Sequence, residues 1–259
     1  MKQFISDIKK YFSYAVYSAT SELKGQVSGS YLGWLWWILD PLLFMLVYSF
    51  VVLYVFGNKI ENFPVFVFIG LTLWNFFQGT VLSNVGVIAS YAAVTKKVYI
   101  PKFIIVLMTQ FVNFIKMLFG LGIIFIALIL SGIPITFNVI NLLLLLVVFF
   151  ILTFGVSLIC AHIGVYVADF KNVMTVLVRF LFYLSGVFYN LSNFSDPVLK
   201  LYNFLCPTGF IITQARDVLM YNKTCDYLMI GYWALIGIVL CIVGVKLMYK
   251  YEKDYMKVV

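Results

Sequence analysis

LLLLLVVFFILTFGVSLICAHIGVYV, residues 142–167, runs for twenty-six residues without a Lys, Arg, Asp or Glu. A hydrocarbon core of ~30 Å takes roughly 20 apolar helical residues to cross, so this stretch is long enough to span a bilayer and too apolar to face water. Working outward, similar stretches recur at about 36–56, 63–83, 103–130, 173–189 and 228–247. Hydrophobic residues make up 64% of the 259-residue chain and charged residues 11%, where a soluble domain carries about 25% charged. That polar surface cannot cover a water-soluble globule. The expectation is a single all-α polytopic transmembrane domain over 1–259, with six transmembrane helices.

Two stretches differ from the spans. Residues 4–24 carry apolar rows at Phe4, Ile8, Tyr11, Ala15 and Ala19 and at Ile5, Phe12, Val16 and Leu23, with Lys2, Asp7, Lys9, Lys10 and Glu22 off those rows. The pattern predicts an amphipathic helix lying in the interface. With no short apolar core before a small-residue cleavage site, Met1 to Lys24 is expected to be retained. Gly25, Gly29 and Gly33 then recur every four residues, either as a close-packing seam or as a loosened connection. Residues 190–227 mix Asp196-Pro197, Cys206-Pro207 and Arg216-Asp217 with apolar runs too short to cross. Paired half-helices dipping into the membrane are expected there, since irregular backbone is tolerated at depth only when covered.

Charge gives the orientation. The net charge is +8, but the basic residues cluster in connections and form no nucleic-acid-binding face. Twelve Lys residues fall on the side of the termini, against Lys59, Lys200, Arg216 and Lys223 opposite, which predicts cytoplasmic termini in a multi-pass protein of the cytoplasmic (inner) membrane. Trp34, Trp36 and Trp37 with Asp40-Pro41 mark a cytoplasmic entrance to the first span, because tryptophans gather at membrane interfaces.

Motifs for catalysis are missing. The sequence has no GxxxxGK[ST] phosphate loop, no HExxH and no GxSxG, so no ATPase, zincin or serine-hydrolase chemistry is expected of it. Cys160, Cys206, Cys225 and Cys241 lack metal-ligand spacing, and no metal site is expected; Cys206 and Cys225 either pair outside the membrane or, like the others, pack as thiols. The lone histidine, His162, reads as a packed ring bonded to a neighbouring helix. No acidic residue lies at mid-span, where ion-coupled transport would place one. Lys116 is the charge at depth, either facing a polar path or pairing with a carbonyl or His162. Aromatic residues make up 19% of the chain, more than interfacial belts require. Tyr48, Phe182, Tyr183 and Tyr189, with Lys116, form a candidate path for a glycan, whose C–H faces stack on aromatic rings.

These residues resemble a known family. In GSYLGWLWWILDPLLFMLVY (Gly29 to Tyr48), the residues Leu32, Gly33, Leu35, Trp36, Leu39, Pro41 and Leu42 match an L-G-x-L-W-x-x-L-x-P-L pattern. That pattern opens the membrane (permease) subunits of ABC-type polysaccharide, O-antigen and teichoic acid exporters. The stretch Thr95-Lys96-Lys97-Val98-Tyr99-Ile100-Pro101-Lys102 is similar to the family's basic K-K-x-x-x-P-[KR] loop. Tyr183 to Tyr189 resembles a [FY]-x-S-P-[VI]-x-Y segment with Gly186 in place of proline, and Ala168 stands where the family has the arginine of an Arg-Asp pair. Cys206 to Leu219 resembles an N-P…R segment with Cys206 for asparagine and Pro207 and Arg216 kept.

The resemblance implies a half-transporter of six spans that forms a homodimer and binds two copies of a separate ATPase subunit. ATP and Mg would sit on that partner, leaving this chain without a cofactor and without catalysis of its own. The loop at 92–102, with Thr95 to Lys102, would couple to the ATPase. The segment 190–227, with Pro207, Arg216 and Asp217, would form an external gate. A lipid-linked glycan or polyol-phosphate polymer would be the cargo. Alternatives are a type-2 ABC permease for a small hydrophobic compound or lipid, and a membrane enzyme acting on lipid-linked sugars, for which no convergent acid or histidine set is present.

Overall fold

Uninterrupted apolar segments must satisfy their backbone groups internally, and the helix does so within one segment. Every regular element among the described residues of the computed structural model is accordingly helical. The structure describes residues 2–52, 60–191 and 195–258. Positions 53–56 of the expected first span, Lys59, and 192–194 of the expected gate lie outside the described residues.

In chain order the helices are α1 (Lys2–Val27), α2 (Trp36–Phe50), α3 (Phe63–Val85), α4 (Val87–Ser90), α5 (Ala92–Thr95), α6 (Lys102–Leu130) and α7 (Ile140–Tyr166). After them come α8 (Phe170–Leu184), α9 (Asp196–Leu205), α10 (Pro207–Leu219), α11 (Tyr227–Lys250) and α12 (Glu252–Val258). Five segments are long and apolar enough to cross a membrane: those containing α2, α3, α6, α7 and α11. The amphipathic α8 is shorter. Its 15 residues rise ~22 Å, less than a ~30 Å core. Residues 185–189 of the expected fifth span leave the helix because Gly186 turns at φ +67, a left-handed conformation that glycine takes without strain.

α3 sits at the centre. Phe66, Val67, Phe68, Ile69, Leu73 and Trp74 are all but fully buried against α2, α6, α7 and α10. Asn75 and Ser83 are the two exposed positions along it. The most extensive pairing joins α7 to α11, where small residues allow the backbones to approach. A Cβ on Gly155 would lie 2.6 Å from that of Leu240, one on Gly244 2.6 Å from that of Leu158, and one on Gly237 3.1 Å from the Leu152 backbone. The four-residue glycine series near the start makes no such seam. Gly25 ends inside α1 and Gly29 follows it, and neither has a neighbour where a Cβ would project.

α1 lays one apolar row on α6 and its surroundings. Ala15 and Ala19 are fully buried and Leu23 nearly so, with Phe4, Ile8 and Tyr11 packed beside them. Of the second row, Leu23 is buried with the first, while the rest stays open: Ile5 is 53% exposed, Phe12 47% and Val16 39%. All four cysteines are thiols. His162 Nδ1 lies 2.6 Å from the Tyr255 hydroxyl of α12, so this ring is tied to a neighbouring helix and not to Lys116.

Candidate functional site

Two adjoining cavities lie among α2, α3, α6 and α8. The first, about 450 Å³, is lined by Trp36, Trp37, Asp40 and Pro41 of α2, by Thr72, Asn75 and Gln78 of α3, and by Asn113 and Lys116 of α6. The second, about 390 Å³, shares Asp40, Pro41, Asn75 and Gln78 and adds Phe44, Tyr48, Trp74, Arg179, Phe182 and Tyr183. Pro41 lies inside α2, where a proline cannot donate to the carbonyl four residues back and loosens the helix locally.

Glycines set the depth of these cavities. A Cβ at Gly120 would fall 2.7 Å from the Thr72 methyl, and one at Gly79 would fall 2.8 Å from Asn113 Oδ1. α3 and α6 therefore run antiparallel in close contact, with Lys116 level with Asn75 and Phe76. From there to the far ends, at Phe63 and Leu130, is ~20 Å along either helix at 1.5 Å per residue. In a core of ~30 Å the cavities thus lie off-centre, about two-thirds of the way across from the Phe63 end.

Polar groups in the cavities both donate and accept. Trp74 Nε1 donates to Gln78 Oε1 at 2.8 Å, which takes one of the two lone pairs of that oxygen. Asn113 Nδ2 donates to the Thr109 carbonyl at 3.1 Å. The Lys116 ammonium sits 5.5 Å from the Trp37 ring centroid, a cation–π arrangement. Aromatic rings continue the wall: Phe44 and Tyr48 at 4.7 Å, Tyr48 and Phe188 stacked at 3.9 Å, Phe188 and Phe182 at 5.2 Å, Phe182 and Trp74 at 5.4 Å.

The expected entrance and path residues thus converge in large part. Trp36, Trp37, Asp40, Pro41, Tyr48, Lys116, Phe182 and Tyr183 line the cavities. Trp34 instead stacks on Phe119 at 6.3 Å. Tyr189 turns away from both cavities, its hydroxyl donating to the carbonyls of Tyr183 at 3.0 Å and Leu184 at 3.3 Å. Arg179 stands out in the sequence as a charge inside the expected fifth span, but Asn75, Gln78 and Asn113 were not singled out from it. Their signal was present as polar pairs spaced i, i+3 in apolar helices, Asn75 with Gln78 and Asn113 with Lys116.

The α9–α10 pair is joined to this region through Arg216. Pro207 starts α10, where its missing N–H costs nothing. Arg216 is 3% exposed and donates from Nε to the Phe66 carbonyl at 3.0 Å, from Nη1 to that of Gly186 at 2.7 Å and from Nη2 to that of Val187 at 2.7 Å. Its guanidinium carbon lies 3.4 Å from the Phe66 ring centroid. Gly70 leaves the room, since a Cβ there would come within 2.6 Å of Nη2. Asp217 pairs with Lys223 at 3.8 Å.

At the other end of the bundle, α5 and residues 96–101 form a short projecting turn. Thr95, Ile100 and Lys102 are buried, Lys96 and Lys97 are exposed, and Val98 and Tyr99 present apolar surface at 60% and 57% exposure. Pro101 precedes α6. The turn is braced from two helices. Tyr99 donates to Glu252 of α12 at 3.2 Å, and Tyr91, just before α5, donates to Glu22 of α1 at 3.2 Å; Tyr249 of α11 donates to Asp7 of α1 at 2.6 Å and ties those two helices together. Burial and then the neighbouring carboxylate push both the Tyr99 and the Tyr91 phenol up to about 12, so each remains a donor through the physiological range. Burial likewise raises the Glu252 carboxyl.

Residues 17–220 match the family described as ABC-2 type transporter. An O-antigen export system permease protein RfbA of Klebsiella pneumoniae is 26% identical over 251 residues, covering 95% of both chains. One of Myxococcus xanthus is 26% identical over 233 residues, covering 87% of both. A second from K. pneumoniae is 24% identical over 250 residues, covering 93% of this chain and 95% of that one.

Proposed function

The chain belongs to the ABC-2 type transporter family, and from that premise we propose that it is the membrane subunit of an ATP-driven exporter of a lipid-linked polysaccharide or polyol-phosphate polymer. Members of this family are the transmembrane component of a transporter and not its ATPase, so hydrolysis of ATP with Mg belongs to a separate subunit. The observation that carries the cargo class is the aromatic and amide lining of the two adjoining cavities. Rings stack on sugar C–H faces and amides bond to hydroxyls, a combination that a path for a small apolar compound does not need. The names of the relatives, O-antigen export system permease proteins, agree with this reading.

In this reading two copies associate through α2 and α8, the helices flanking the cavities. Both present uncovered apolar side chains, among them Leu43, Leu46 and Val47 on α2 and Val176, Phe180 and Tyr183 on α8. A second copy there would close the cavities into a path. α8 makes the sixth crossing, its length completed by the turn at 185–189, and both termini lie in the cytoplasm. α1 rests in the interface with its Ile5, Phe12 and Val16 row toward lipid. Two ATPase copies seat on Thr95 to Lys102, and the α9–α10 pair with Pro207, Arg216 and Asp217 gates the outer end as a re-entrant element. ATP-driven closure of the ATPase dimer moves the projecting turn, and through it α1, α6 and α12.

Reconstitution with the partner ATPase tests this reading. Lipid-linked glycan should raise the ATP hydrolysis of the complex several-fold over that of the ATPase alone. Hydrolysis unaffected by both this chain and the glycan would refute it.

A further inference from the structure

The cations in the cavities outnumber the acids. Lys116 and Arg179 line them with Asp40 as the one acid, and among the described residues no carboxylate comes within 4 Å of either cation. A positive charge held within membrane depth outside an ion pair is costly, and such residues in proteins of this class face a ligand or a pathway. The amides around them, Asn75, Gln78 and Asn113, offer donors and acceptors alike, as a neutral sugar would require; two cations against one carboxylate add a call for an anion.

We infer that the paired cavities form a binding site for phosphate carried by the cargo, with Lys116 holding it in the first cavity and Arg179 in the second. The inference rests on the exporter reading for the origin of its ligand and deepens it, since it makes the cargo anionic where it passes α3. Arg179 supplies a planar fork suited to two phosphate oxygens, and Lys116 a point charge. Trp36, Trp37 and Trp74 in the walls place three fluorophores at the site. The phosphate can come from the diphosphate that joins a glycan to its lipid carrier or from phosphodiesters within the polymer.

Tryptophan emission of the purified chain in nanodiscs of neutral lipid tests this. The probes are farnesyl diphosphate, farnesol and a soluble glycerol-phosphate oligomer. Saturable quenching by farnesyl diphosphate, weakened by salt and not produced by farnesol, assigns the site to the carrier's diphosphate. Quenching by the oligomer assigns it to the polymer's phosphates. Either outcome supports the inference, and the comparison of the two prenyl probes requires no variant. Lys116→Gln and Arg179→Gln should each weaken phosphate binding by about tenfold, Lys116→Arg should retain it, and the exposed Lys246→Gln should leave it unchanged. Equal binding of farnesol and farnesyl diphosphate, or affinities unmoved by both glutamine variants, would overturn it. Phosphate binding without export would sink the exporter reading alone; export without binding by either phosphate probe would sink this site alone.

Discussion

Arg216 lies in a place where a charge is hard to keep, and its three carbonyl partners explain how it is kept. A buried guanidinium is tolerated when its donors are satisfied, and here they reach Phe66 of α3 and Gly186 and Val187 of the turn after α8. Lysine keeps the charge but cannot reach three acceptors in a plane. Arg216→Lys and Arg216→Met should therefore each lower unfolding stability by about 3 kcal/mol, since both leave buried carbonyls unpaired. Thermal unfolding in detergent reads this, and a change under ~1 kcal/mol would count against the clamp. Gly70→Ala should reproduce part of the loss by pressing on Nη2. Gly186 stands where the family resemblance expects proline. The reason is local: φ is +67, while proline is confined near −65°, and the turn it makes aims two carbonyls at Arg216.

Helix contacts are governed by which glycines are crowded. In α7, a Cβ at Gly164 would overlap the Val85 carbonyl oxygen, whereas Gly122 in α6 has open space around it. Gly164→Ala should thus destabilise by at least ~2 kcal/mol, and Gly122→Ala should stabilise by ~0.5–1 kcal/mol through helix propensity; the two melting temperatures together test the packing. The spacing of glycines in the sequence could not separate these cases. Gly25, Gly29 and Gly33 have the regular spacing and no close partner across a helix interface, while Gly155, Gly237 and Gly244 form the seam across helices far apart in the chain. At the projecting turn, Lys96 and Lys97 are exposed, and reversing both to Glu should weaken co-purification of the ATPase by tenfold or more at low salt; unchanged recovery would move the docking site elsewhere. The Tyr99–Glu252 contact has its own pH signature. With the phenol raised from 10.0 to about 12, its stabilising contribution is complete below pH 10.0 and fades as pH climbs through about 12. Tyr99→Phe should flatten that alkaline loss in a pH series of thermal unfolding.

At the scale of the whole chain, apolar length alone made the helical membrane architecture legible, because a bilayer allows few other solutions. Family membership was legible from scattered motifs in order, and the matched region 17–220 agrees with it. Much of the cavity lining was legible from aromatic and charged residues at depth. What the sequence hid was tertiary: that Asn75, with Ser83, is exposed on an otherwise covered helix, that Arg179 shares a cavity with Tyr48 and Trp74, and that the Tyr189 hydroxyl braces its own turn and lines neither cavity. In the proposed reading the paired cavities become a path only when a second copy and an ATPase are added, so the central claim is best tested on the assembled complex. Inverted vesicles carrying this chain and its partner ATPase should, on addition of ATP, move a lipid-linked glycan from the outer face to the lumen, with loss of transport when Tyr48 and Phe182 are replaced by Ala. Glycan that stays at the outer face while ATP is hydrolysed, or that crosses equally well in vesicles lacking this chain, would contradict the account.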